Sequence, residues 1–408
     1  MSAVIVMKFG GTSVADPEKI QRAADRAIAR RRAGHRVVVV VSAPGDMTDE
    51  LIELAKRVAP NPESRELDML MATGEQVSIA LFAIACRARG VPAVSLTGPQ
   101  AGILADERHT KARIVEIRPS KVHQELARGN IVTVAGFQGL NPRRDIATLG
   151  RGGSDLTAVA LAAALKAKHC EIYTDVHGVY TADPRLVPEA RLIPAISYDE
   201  MLELAGAGAQ VMQSRSIEVA KKFGVRIQVA HAFEDGSPGT WIIEEVSSME
   251  EALVTGVALD RNQIKVTIRD VPDRPGMAAE VFGALGKANV NVDMIVQSSA
   301  RGAINDISFT TPTDDLEAAL KALKQVQRHW ETGSIEHNAN VAKISVVGVG
   351  MRSHSGVAGR MFRTLADNSV NIQMIATSEI KISCIVDQKE GERALRCLHK
   401  AFGLQRKR

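Results

Sequence analysis

Short apolar runs alternate with segments of helical periodicity along the first half of the chain. Val4–Phe9 is an apolar run that ends in two glycines, and Val37–Val41 is a run of consecutive valines. Because valines fill both faces of the second run, it predicts a strand covered on both sides, as in a parallel sheet. Between the runs, Asp16-Pro17 predicts a helix start and Gly34 a helix end. The order strand, loop, helix, strand predicts the α/β class.

The same alternation continues downstream. Further apolar runs and periodic segments predict a buried helix over 77–86, a helix over 156–166, and strands over 92–96, 131–137, 170–174 and 225–230. This order predicts a mostly parallel sheet flanked by helices, in which ligands bind at the carboxyl ends of the strands.

The last third of the chain is duplicated. Two segments, which begin at Lys265 and Lys343, align without gaps from Gly276 and Gly356 onward. Each segment has the pattern strand, loop, helix, strand. A repeat of this length predicts a duplicated domain rather than a solenoid.

Composition places the chain among ordinary globular proteins. It has 408 residues, of which 45% are hydrophobic and 24% are charged, which suggests two to four domains. Aromatic residues are only 3%, so we expect a core built mainly from Ala, Val, Leu and Ile. The net charge of +4 is too weak to indicate a nucleic-acid partner, since no basic stripe with interleaved aromatics accompanies it.

The cysteines and the N-terminus bear on the cellular compartment. Cys86, Cys170 and Cys384 lie in apolar runs, and none of the four cysteines forms a C-x-x-C pair. We therefore expect buried thiols in a reducing compartment. The first apolar run is too short for a signal peptide and no run reaches 18 apolar residues, so we expect a cytoplasmic protein with no membrane span.

Two glycine-rich loops carry the candidate chemistry. Gly10-Gly11-Thr12-Ser13 follows the first strand and stands after Lys8, whereas Gly152-Gly153-Ser154 opens a helix and stands after Arg151. Helix N-termini attract anions, and glycines allow close approach of the backbone. Either loop alone is more often a structural turn. Two such loops in one domain, each beside a cation, predict sites for a phosphate and a second anion.

The residues alone leave two roles open. Lys8 either extends its ammonium group to solvent or faces a phosphoryl group that is being transferred. Asp155 either caps the first turn of its helix or pairs with an ammonium group on the substrate.

Three segments together resemble aspartate kinases. They are KFGGTSV at 8–14, GRGGSD at 150–155 and TDVHGVYTADPR at 174–185. Glutamate 5-kinase, acetylglutamate kinase and uridylate kinase share the fold and the first glycine loop, but the combination points away from them. The duplicated C-terminal segment resembles the paired ACT domains that follow the kinase domain in this family.

The resemblance implies an amino-acid kinase fold, a mostly parallel sheet flanked by helices, followed by two ferredoxin-like βαββαβ ACT domains. We expect a kinase domain over 1–245 and a linker with a strand contributed to the second ACT unit over 246–263. The ACT domains are expected over 264–337 and 338–408.

The implied reaction transfers the γ-phosphate of ATP, as its Mg²⁺ complex, to the side-chain carboxylate of L-aspartate, giving 4-phospho-L-aspartate. The carboxylate is already ionised at neutral pH, so catalysis requires positioning and charge neutralisation rather than a general base. We expect the metal on phosphate oxygens, with no dedicated metal site in the protein.

The resemblance also assigns site residues. Arg151 would hold the α-carboxylate of aspartate, and Asp155 with Glu75 would hold its ammonium group. The implied catalytic residues are Lys8, Arg151 and Asp155; the substrate contacts are Thr48, Glu75, Arg151, Gly152, Gly153 and Ser154; the nucleotide contacts are Lys8, Gly10, Gly11, Ser42, Thr174, Asp175, Tyr180, Arg185 and Gln210.

Three positions depart from the family pattern, one of which is Pro44, where a methionine is usual. His177 stands where an aspartate is usual, and Gln210 stands where a lysine usually reaches the ATP phosphates. The departures are either neutral drift or a sign of weaker nucleotide binding, which Arg185 or Arg215 would then offset. The alternative function is a non-catalytic amino-acid sensor with a weakened ATP site. The intact Lys8, Arg151, Asp155 and Glu75 favour the enzyme.

The duplicated half predicts effector binding at the loops before the two helices. The expected effector is lysine, threonine or both, and we favour the first copy, where Asp273 would meet an ammonium group. The candidate residues are Asp273, Gly276, Met277, Ala278, Asn291, Val292, Asp293 and Gln297 in the first copy, and His354, Ser355, Gly356, Val357, Asn371, Ile372, Ser378 and Glu379 in the second.

The family resemblance has consequences for assembly and pathway. We expect either a homo-oligomer or an α2β2 assembly whose regulatory subunit starts internally at Met249. The reaction would be the first step towards lysine, through diaminopimelate, and towards threonine and methionine.

Overall fold

A computed structural model describes residues 2–209, 211–234, 236, 238–246, 253–298, 302–328, 330, 333–352 and 356–405. The chain separates into two compact units. The first comprises Met1–Val179, Leu192–Ala205 and Gln210–Ser247; the second comprises Tyr180–Arg191, Gly206–Ala209 and Ser248–Arg408.

The first unit contains alternating strands and helices. Its described strands are β1 (Val4–Phe9), β2 (Arg36–Val41), β3 (Ala93–Leu96), β4 (Ile103–Ala105), β5 (Ile114–Ile117), β6 (Ile131–Ala135), β7 (Gln138–Leu140), β8 (Ile146–Thr148), β9 (Cys170–Thr174), β10 (Ala195–Ser197), β11 (Ile227–His231) and β12 (Thr240–Ile243). Its helices are α1 (Pro17–Arg32), α2 (Met47–Val58), α3 (Ser64–Ala88), α4 (Ser120–Ala127), α5 (Gly153–Ala164), α6 (Tyr198–Gly206), whose last residue belongs to the second unit, and α7 (Ser214–Phe223).

The larger sheet of this unit has the strand order β10-β12-β11-β9-β1-β2-β6-β3. Its described pairs are parallel except β11 with β12. Val37–Val41 is buried throughout, which confirms the strand covered on both faces that the valine run predicts. A smaller sheet has the order β5-β4-β7-β8.

Local signals locate several elements correctly. Helix α1 begins at Pro17, and the Asp16 side chain accepts a hydrogen bond from the backbone N–H of Lys19 at 2.8 Å. Gly34 follows the end of this helix with φ +90°. Helix α5 begins at Gly153, earlier than the predicted residue 156, because the glycine loop itself forms the first turn.

The prediction of a buried helix over 77–86 is wrong in part. Val77, Leu81 and Ile84 on α3 are 42%, 41% and 61% exposed, whereas Ile79 and Phe82 lie in the core. Helix α3 covers one face of the sheet, so only one side of the helix is buried. A helix that is apolar all round carries no polar stripe to mark its outer face.

Helix α3 is also long and apolar enough, by length and composition alone, to cross a membrane. Its most apolar window is 56% buried within the protein. Its buried face carries the carboxyl groups of Asp68 and Glu75. We therefore assign it as a core helix of a folded domain.

The second unit is built on a single antiparallel sheet. Its described strands are β13 (Gly256–Pro272), β14 (Ile295–Gln297), β15 (Ile304–Thr311), β16 (Ser334–Val347), β17 (Met374–Thr377) and β18 (Lys381–Asp387), in the order β14-β15-β13-β16-β18-β17. Its helices are α8 (Met277–Lys287), α9 (Leu316–Gln327), α10 (Val357–Asp367) and α11 (Gly391–Ala401).

Two long strands serve both halves of this sheet. The start of β13, 256–260, pairs with the end of β16, whereas its later part pairs with β15 on one side and with the start of β16 on the other. Each half thereby acquires four strands and two helices in a βαββαβ arrangement, with its own apolar cluster. This confirms the predicted fold class for the duplicated segment.

The cysteines match their predicted environment. Cys86, Cys170 and Cys384 are buried and free, and Cys397 is half-buried and free. Burial raises the pKa of the Cys86 and Cys384 thiols to about 12, so these thiols are protonated and unreactive at neutral pH.

Candidate active site

The carboxyl ends of three neighbouring strands form the floor of the site. Strand β1 leads into the loop at Gly10, β2 into Ser42 and β9 into Thr174. Two backbone hydrogen bonds hold the first two exits together, from Ser42 N–H to the Phe9 carbonyl at 3.2 Å and from Gly45 N–H to the Gly11 carbonyl at 3.0 Å. This is the edge where α/β sheets bind ligands.

Glycine is required in the first loop by close packing. A Cβ atom on Gly11 would lie 2.9 Å from the carbonyl oxygens of both Ala43 and Gly45. A Cβ atom on Gly10 would lie 3.4 Å from the Lys8 ammonium nitrogen. The close packing therefore requires glycine at Gly11, whereas the contact at Gly10 is an ordinary van der Waals distance that shows only that the Lys8 side chain lies over the loop.

The second loop uses glycine for its backbone conformation. Gly150 and Gly152 have φ of +80° and +73°, in the left-handed region that glycine favours. Gly152 is the N-cap of α5, and no side chain in the described part of the chain caps that helix end by a hydrogen bond. The positive end of this buried helix dipole therefore stays available to an anion.

Lys8 and Asp155 bring the two loops together. The Lys8 Nζ atom lies 2.7 Å from Asp155 Oδ1, and the two side chains are 12% and 11% exposed. Oδ1 accepts no hydrogen bond of regular geometry from any described residue, so the contact is mainly electrostatic. The sequence assigned these two groups to different ligands, whereas here they neutralise each other.

Arg151 does not join that pair. Its side chain is 92% exposed, and its closest described carboxylate is Asp49, 3.9 Å away. Asp49 follows Thr48 in the first turn of α2. Ser154, in contrast, is buried, and a Cβ atom on Gly136 would lie 2.6 Å from its Oγ. The Arg151 guanidinium group, unlike the Ser154 side chain, is therefore open to solvent at the rim of the loop.

Glu75 is a buried carboxyl with unused acceptor capacity. Its Oε1 accepts a hydrogen bond from the backbone N–H of Ala43 at 3.2 Å, and its Oε2 has no partner among the described residues. Burial raises the pKa of Glu75 to about 7. A cationic ligand would stabilise the ionised form of this group.

The candidate nucleotide residues of the first unit lie at the end of β9. The Thr174 hydroxyl donates to Asp175 Oδ1 at 3.0 Å. His177, at the usual aspartate position, lies 3.3 Å from a Glu234 oxygen, and its ring stacks on His231 with centroids 5.0 Å apart. The His177 imidazole therefore contacts the Glu234 carboxylate, and it does not itself supply the carboxylate that is usual at this position.

Tyr180 and Arg185 belong to the second unit. Tyr180 packs against the apolar cluster of the second βαββαβ half. The Arg185 guanidinium pairs with Asp183 at 2.7 Å, and this hydrogen bond lowers the pKa of that carboxyl. Gln210 lies outside the described residues.

Arg215 is committed to the second glycine loop. Its guanidinium donates to the carbonyl oxygens of Leu149 at 2.7 Å and Ala112 at 2.9 Å. The Gln213 side chain donates to the Arg151 carbonyl at 2.5 Å. The suggestion that Arg215 replaces a phosphate-binding lysine is therefore not favoured, since its guanidinium already binds two carbonyl groups.

Asp68 is a buried acidic residue near the second glycine loop that the sequence motifs did not mark. Its fully buried carboxylate accepts hydrogen bonds from the Thr148 hydroxyl and from the backbone N–H of Thr110, and it contacts His109 Nδ1 at 2.7 Å. Asp68 precedes Glu75 by two helical turns on the buried face of α3. Two carboxylates at that spacing within an apolar helix were the available signal.

The helix starts that follow the two candidate effector loops are alike. Gly276 precedes α8 with φ +101° and Gly356 precedes α10 with φ +97°. Met277 and Val357 are the buried first residues of these helices, whereas Ala278 is exposed. Of the other predicted residues in the second loop, His354 and Ser355 lie outside the described residues.

The remaining candidate residues of the first half are spread along β15, since Asp273 is bonded near its start, at Asn305, and Asn291 near its end, at Thr311. Asp273 accepts a hydrogen bond from the Asn305 side chain at 3.0 Å. The Asn291 N–H donates to an Asp315 carboxylate oxygen at 3.0 Å. Val292 packs on the apolar cluster, and Gln297 is exposed at the end of β14.

In the second half the corresponding positions are similar. Asn371 is exposed and Ile372 packs on the apolar cluster. The Ser378 N–H donates to the Lys381 carbonyl at 2.8 Å, and Glu379 is exposed beside it.

A buried lysine contacts Asp293 of the candidate effector site. The Lys343 side chain is 2% exposed, and its ammonium group pairs with Asp293 and donates to the Gly206 carbonyl at 3.0 Å. Asp260 lies 3.7 Å away. Lys343 stands among mostly apolar residues in the second half of β16, and this was the available signal in the sequence.

Within the described ranges, no group of three or more His, Cys, Asp or Glu side chains is placed to hold a metal ion. A metal in this site would need ligands from a bound substrate, and nucleotide phosphates supply such oxygens.

Comparison with known proteins identifies related chains. Residues 3–231 match the amino acid kinase family, and residues 266–328 and 344–402 each match the ACT domain. The chain is 51% identical over 404 residues to the aspartokinase of Pseudomonas aeruginosa, covering 98% of both. It is 47% identical over 407 residues to the aspartokinase of Corynebacterium glutamicum, covering 98% of this chain and 96% of that one.

Solved structures give the same relationship. E. coli aspartokinase III in complex with aspartate and ADP, in the R-state, matches with a TM-score of 0.86 at 27% identity, covering 98% of this chain and 99% of that one. The T-state of that protein, in complex with lysine and aspartate, matches over the same shares at the same identity with a TM-score of 0.76.

Proposed function

The chain belongs to the aspartokinase family, and from that membership we propose that it transfers the γ-phosphoryl group of ATP to the side-chain carboxylate of L-aspartate. A carboxylate oxygen attacks the γ-phosphorus, the bond to the β-phosphate oxygen breaks, and ADP leaves with that electron pair. The product is 4-phospho-L-aspartate. The observation that carries this proposal is the Lys8–Asp155 pair, which joins the two glycine loops in one cleft.

Charge neutralisation explains the choice of residues. Two anions, a carboxylate and a triphosphate, must approach each other, and no proton has to be removed from the acceptor. Lys8 would neutralise charge on the transferring phosphoryl group, while the glycine amides at Gly10 and Gly11 approach the phosphates closely. Arg151 would hold the α-carboxylate of aspartate at the uncapped start of α5.

The ammonium group of aspartate would bind between Asp155 and Glu75. On binding, it would replace the Lys8 ammonium at Asp155 and release Lys8 towards the γ-phosphate. The unused Oε2 atom of Glu75 would gain the partner it lacks among the described residues. Both carboxylates would then contact the same ammonium group, which only the amino-acid substrate brings.

The nucleotide would enter as its Mg²⁺ complex. Phosphate oxygens would supply the metal ligands, as Mg²⁺ usually binds in phosphoryl-transfer sites. The proposed nucleotide residues remain those suggested by the sequence: Lys8, Gly10, Gly11, Ser42, Thr174, Asp175, Tyr180, Arg185 and Gln210.

The ACT half suggests feedback control. We place an effector, lysine or threonine or both, at the loops before α8 and α10, with Asp273 as the ligand for its ammonium group. Such an effector must bind one arrangement of the protein better than another to change the activity. The enzyme would act in the cytoplasm as a homo-oligomer or α2β2 assembly, at the first step towards lysine, threonine and methionine.

The test is an assay of product formation with purified protein. ADP release is measured with MgATP and either L-aspartate, L-glutamate or no acceptor, and the acyl phosphate is trapped with hydroxylamine. We expect ADP and aspartyl hydroxamate to form in equal amounts with aspartate only. A non-catalytic sensor would bind an amino acid without ADP release, and turnover with glutamate instead would indicate a different member of the fold.

A further inference from the structure

Arg215 binds two backbone segments that flank the second glycine loop. Its Nη1 donates to the Leu149 carbonyl at 2.7 Å and its Nη2 donates to the Ala112 carbonyl at 2.9 Å. The Ala112 N–H in turn donates to the Thr148 carbonyl at 2.9 Å. One guanidinium group therefore links the residue after β8 to the segment that leads into β5, just ahead of Arg151 in the chain.

Neighbouring contacts act on the same loop. Gln213 is the N-cap residue of α7, and its side-chain amide donates a hydrogen bond to the Arg151 carbonyl at 2.5 Å. A Cβ atom on Gly152 would lie 2.8 Å from the Gln213 Cβ, so this contact needs the glycine. On another side, Asp68 accepts from Thr148 and from Thr110, whose φ of +63° is unusual for a β-branched residue.

We propose that Arg215 is a positioning residue for aspartate binding, which holds the Leu149–Gly153 loop so that Arg151 and the start of α5 face the substrate together. The inference rests on the proposed role of that loop in binding aspartate. Arg151 has an exposed side chain and gains little rigidity from its own contacts. Its position must therefore come from its backbone, which Arg215 and Gln213 hold at residues 149 and 151.

The geometry of the guanidinium group is essential to this role. Its two terminal nitrogens donate in fixed, divergent directions, so a single side chain reaches two carbonyl groups at once. A lysine at this position keeps the charge but offers a compact ammonium group on a flexible stem. Arg215→Lys therefore removes the double contact while it preserves the electrostatic field at the site.

The chain offers a matched control in Arg31. This arginine also donates two hydrogen bonds to backbone, both to the Gly129 carbonyl, at 3.2 and 2.9 Å. It lies at the end of α1 and binds the chain just before β6. Arg31 is therefore at the amino ends of the strands, whereas the first glycine loop is at their carboxyl ends. Arg31→Lys thus tests the loss of a structural arginine contact without any effect on the glycine loop.

The experiment compares Arg215→Lys, Arg215→Ala, Arg31→Lys and Arg151→Met by steady-state kinetics. For both Arg215 variants we expect KM for aspartate to rise about tenfold, as for loss of a charge-assisted hydrogen bond, while KM for ATP stays within about twofold. Methylguanidinium added to Arg215→Ala should restore KM for aspartate, and Arg31→Lys should leave it unchanged.

Three results would overturn the inference. The first is an unchanged KM for aspartate in Arg215→Lys while Arg151→Met raises it, which would leave the proposed function intact. The second is a rise in KM for ATP rather than for aspartate, which would place Arg215 at the phosphates. The third is an unchanged KM for aspartate in Arg151→Met, which would contradict the proposed role of the loop itself.

Discussion

Lys8, at the end of the first strand, and Asp155, in the first turn of α5, form an ion pair of 2.7 Å in a nearly buried setting. The two residues are far apart in sequence: Lys8 precedes one glycine-rich loop and Asp155 follows the other. Bringing two such charges out of water is costly unless each has a partner. Lys8 and Asp155 therefore neutralise each other until a substrate brings charges of its own.

Glu75 should make aspartate binding depend on pH. Its pKa is raised to about 7 by burial, so its ionised fraction grows from about one tenth to nine tenths between pH 6 and 8. Only the ionised carboxylate can hold the substrate ammonium group. We expect KM for aspartate to fall about tenfold over this range, measured by initial rates at saturating ATP.

Glu75→Gln is the control for that pH dependence. It should raise KM for aspartate at pH 8 and flatten its dependence on pH. Because the pKa of Glu75 is higher in the folded than in the unfolded protein, the wild-type protein loses stability as the pH rises from about 4.5 to about 7. Glu75→Gln lacks this loss, so it should have the higher free energy of unfolding above pH 7. A KM profile that keeps its full slope in Glu75→Gln would rule out this assignment.

Glu171 should govern part of the acid stability of the first unit. Burial opposes ionisation of this carboxyl, but hydrogen bonds from His169, Arg30 and Tyr173 lower its pKa below the usual value. Its contribution to stability is thus present above about pH 4.5 and is lost as the pH falls through the lowered pKa. We expect Glu171→Gln to lower the free energy of unfolding by about 1.5–3 kcal/mol at pH 7, as for loss of a hydrogen bond to a charged group, and by less at pH 3.

Urea denaturation at the two pH values measures this difference. Glu53→Gln is the control, because Glu53 forms an exposed pair with Lys56 and its loss should cost less than about 0.5 kcal/mol. An equal loss of stability for Glu171→Gln at both pH values would show that the carboxylate charge has no part in the effect.

Replacing Gln210 should strengthen nucleotide binding. The family usually has a lysine at this position, and the glutamine provides a neutral amide where a charged donor is expected. Gln210→Lys should lower KM for ATP about tenfold or more, since a charge-assisted hydrogen bond contributes about 1.5–3 kcal/mol. Gln124→Lys, on the exposed face of α4, adds the same charge elsewhere and should change nothing. An unchanged or higher KM for ATP in Gln210→Lys would contradict the prediction.

Asp273 should control feedback inhibition without affecting the basal reaction. Asp273 is the proposed partner of the effector's ammonium group. Asp273→Asn should therefore raise the half-inhibitory concentration of lysine or threonine about tenfold. The measurement is inhibition of ADP release at fixed substrate concentrations. Asp314→Asn, an exposed acid in the same half, serves as the control. Equal inhibition of all three proteins would remove Asp273 from the effector site.

Local signals explain what the sequence predicted well. The α1 start depends on Asp16 and Pro17, and the two glycine loops depend on residues adjacent in the chain. The equivalence of α8 and α10 follows from an ungapped repeat. For α1 and the glycine loops the interacting groups lie within a few residues of one another, and for the two ACT helices the repeat itself is visible in the sequence.

Contacts at long range could not be predicted. Arg215 binds carbonyl groups 66 and 103 residues away, and every residue type carries a carbonyl, so no pattern marks the partner. Lys343 and Asp68 were visible as charges within apolar segments, but their partners were not. The pairing of Lys8 with Asp155 was likewise hidden, because each residue alone suits a role with a ligand.

The most direct test of the account is the effect of Lys8→Met on kcat. If Lys8 neutralises the transferring phosphoryl group, kcat should fall by about 10²–10³-fold while KM for aspartate and ATP changes less. Lys168→Met, an exposed lysine just before the amino end of β9, should retain full activity. A Lys8→Met enzyme that keeps more than about a third of the wild-type kcat would contradict the proposed phosphoryl-transfer cleft, because one lost preorganised donor should cost far more.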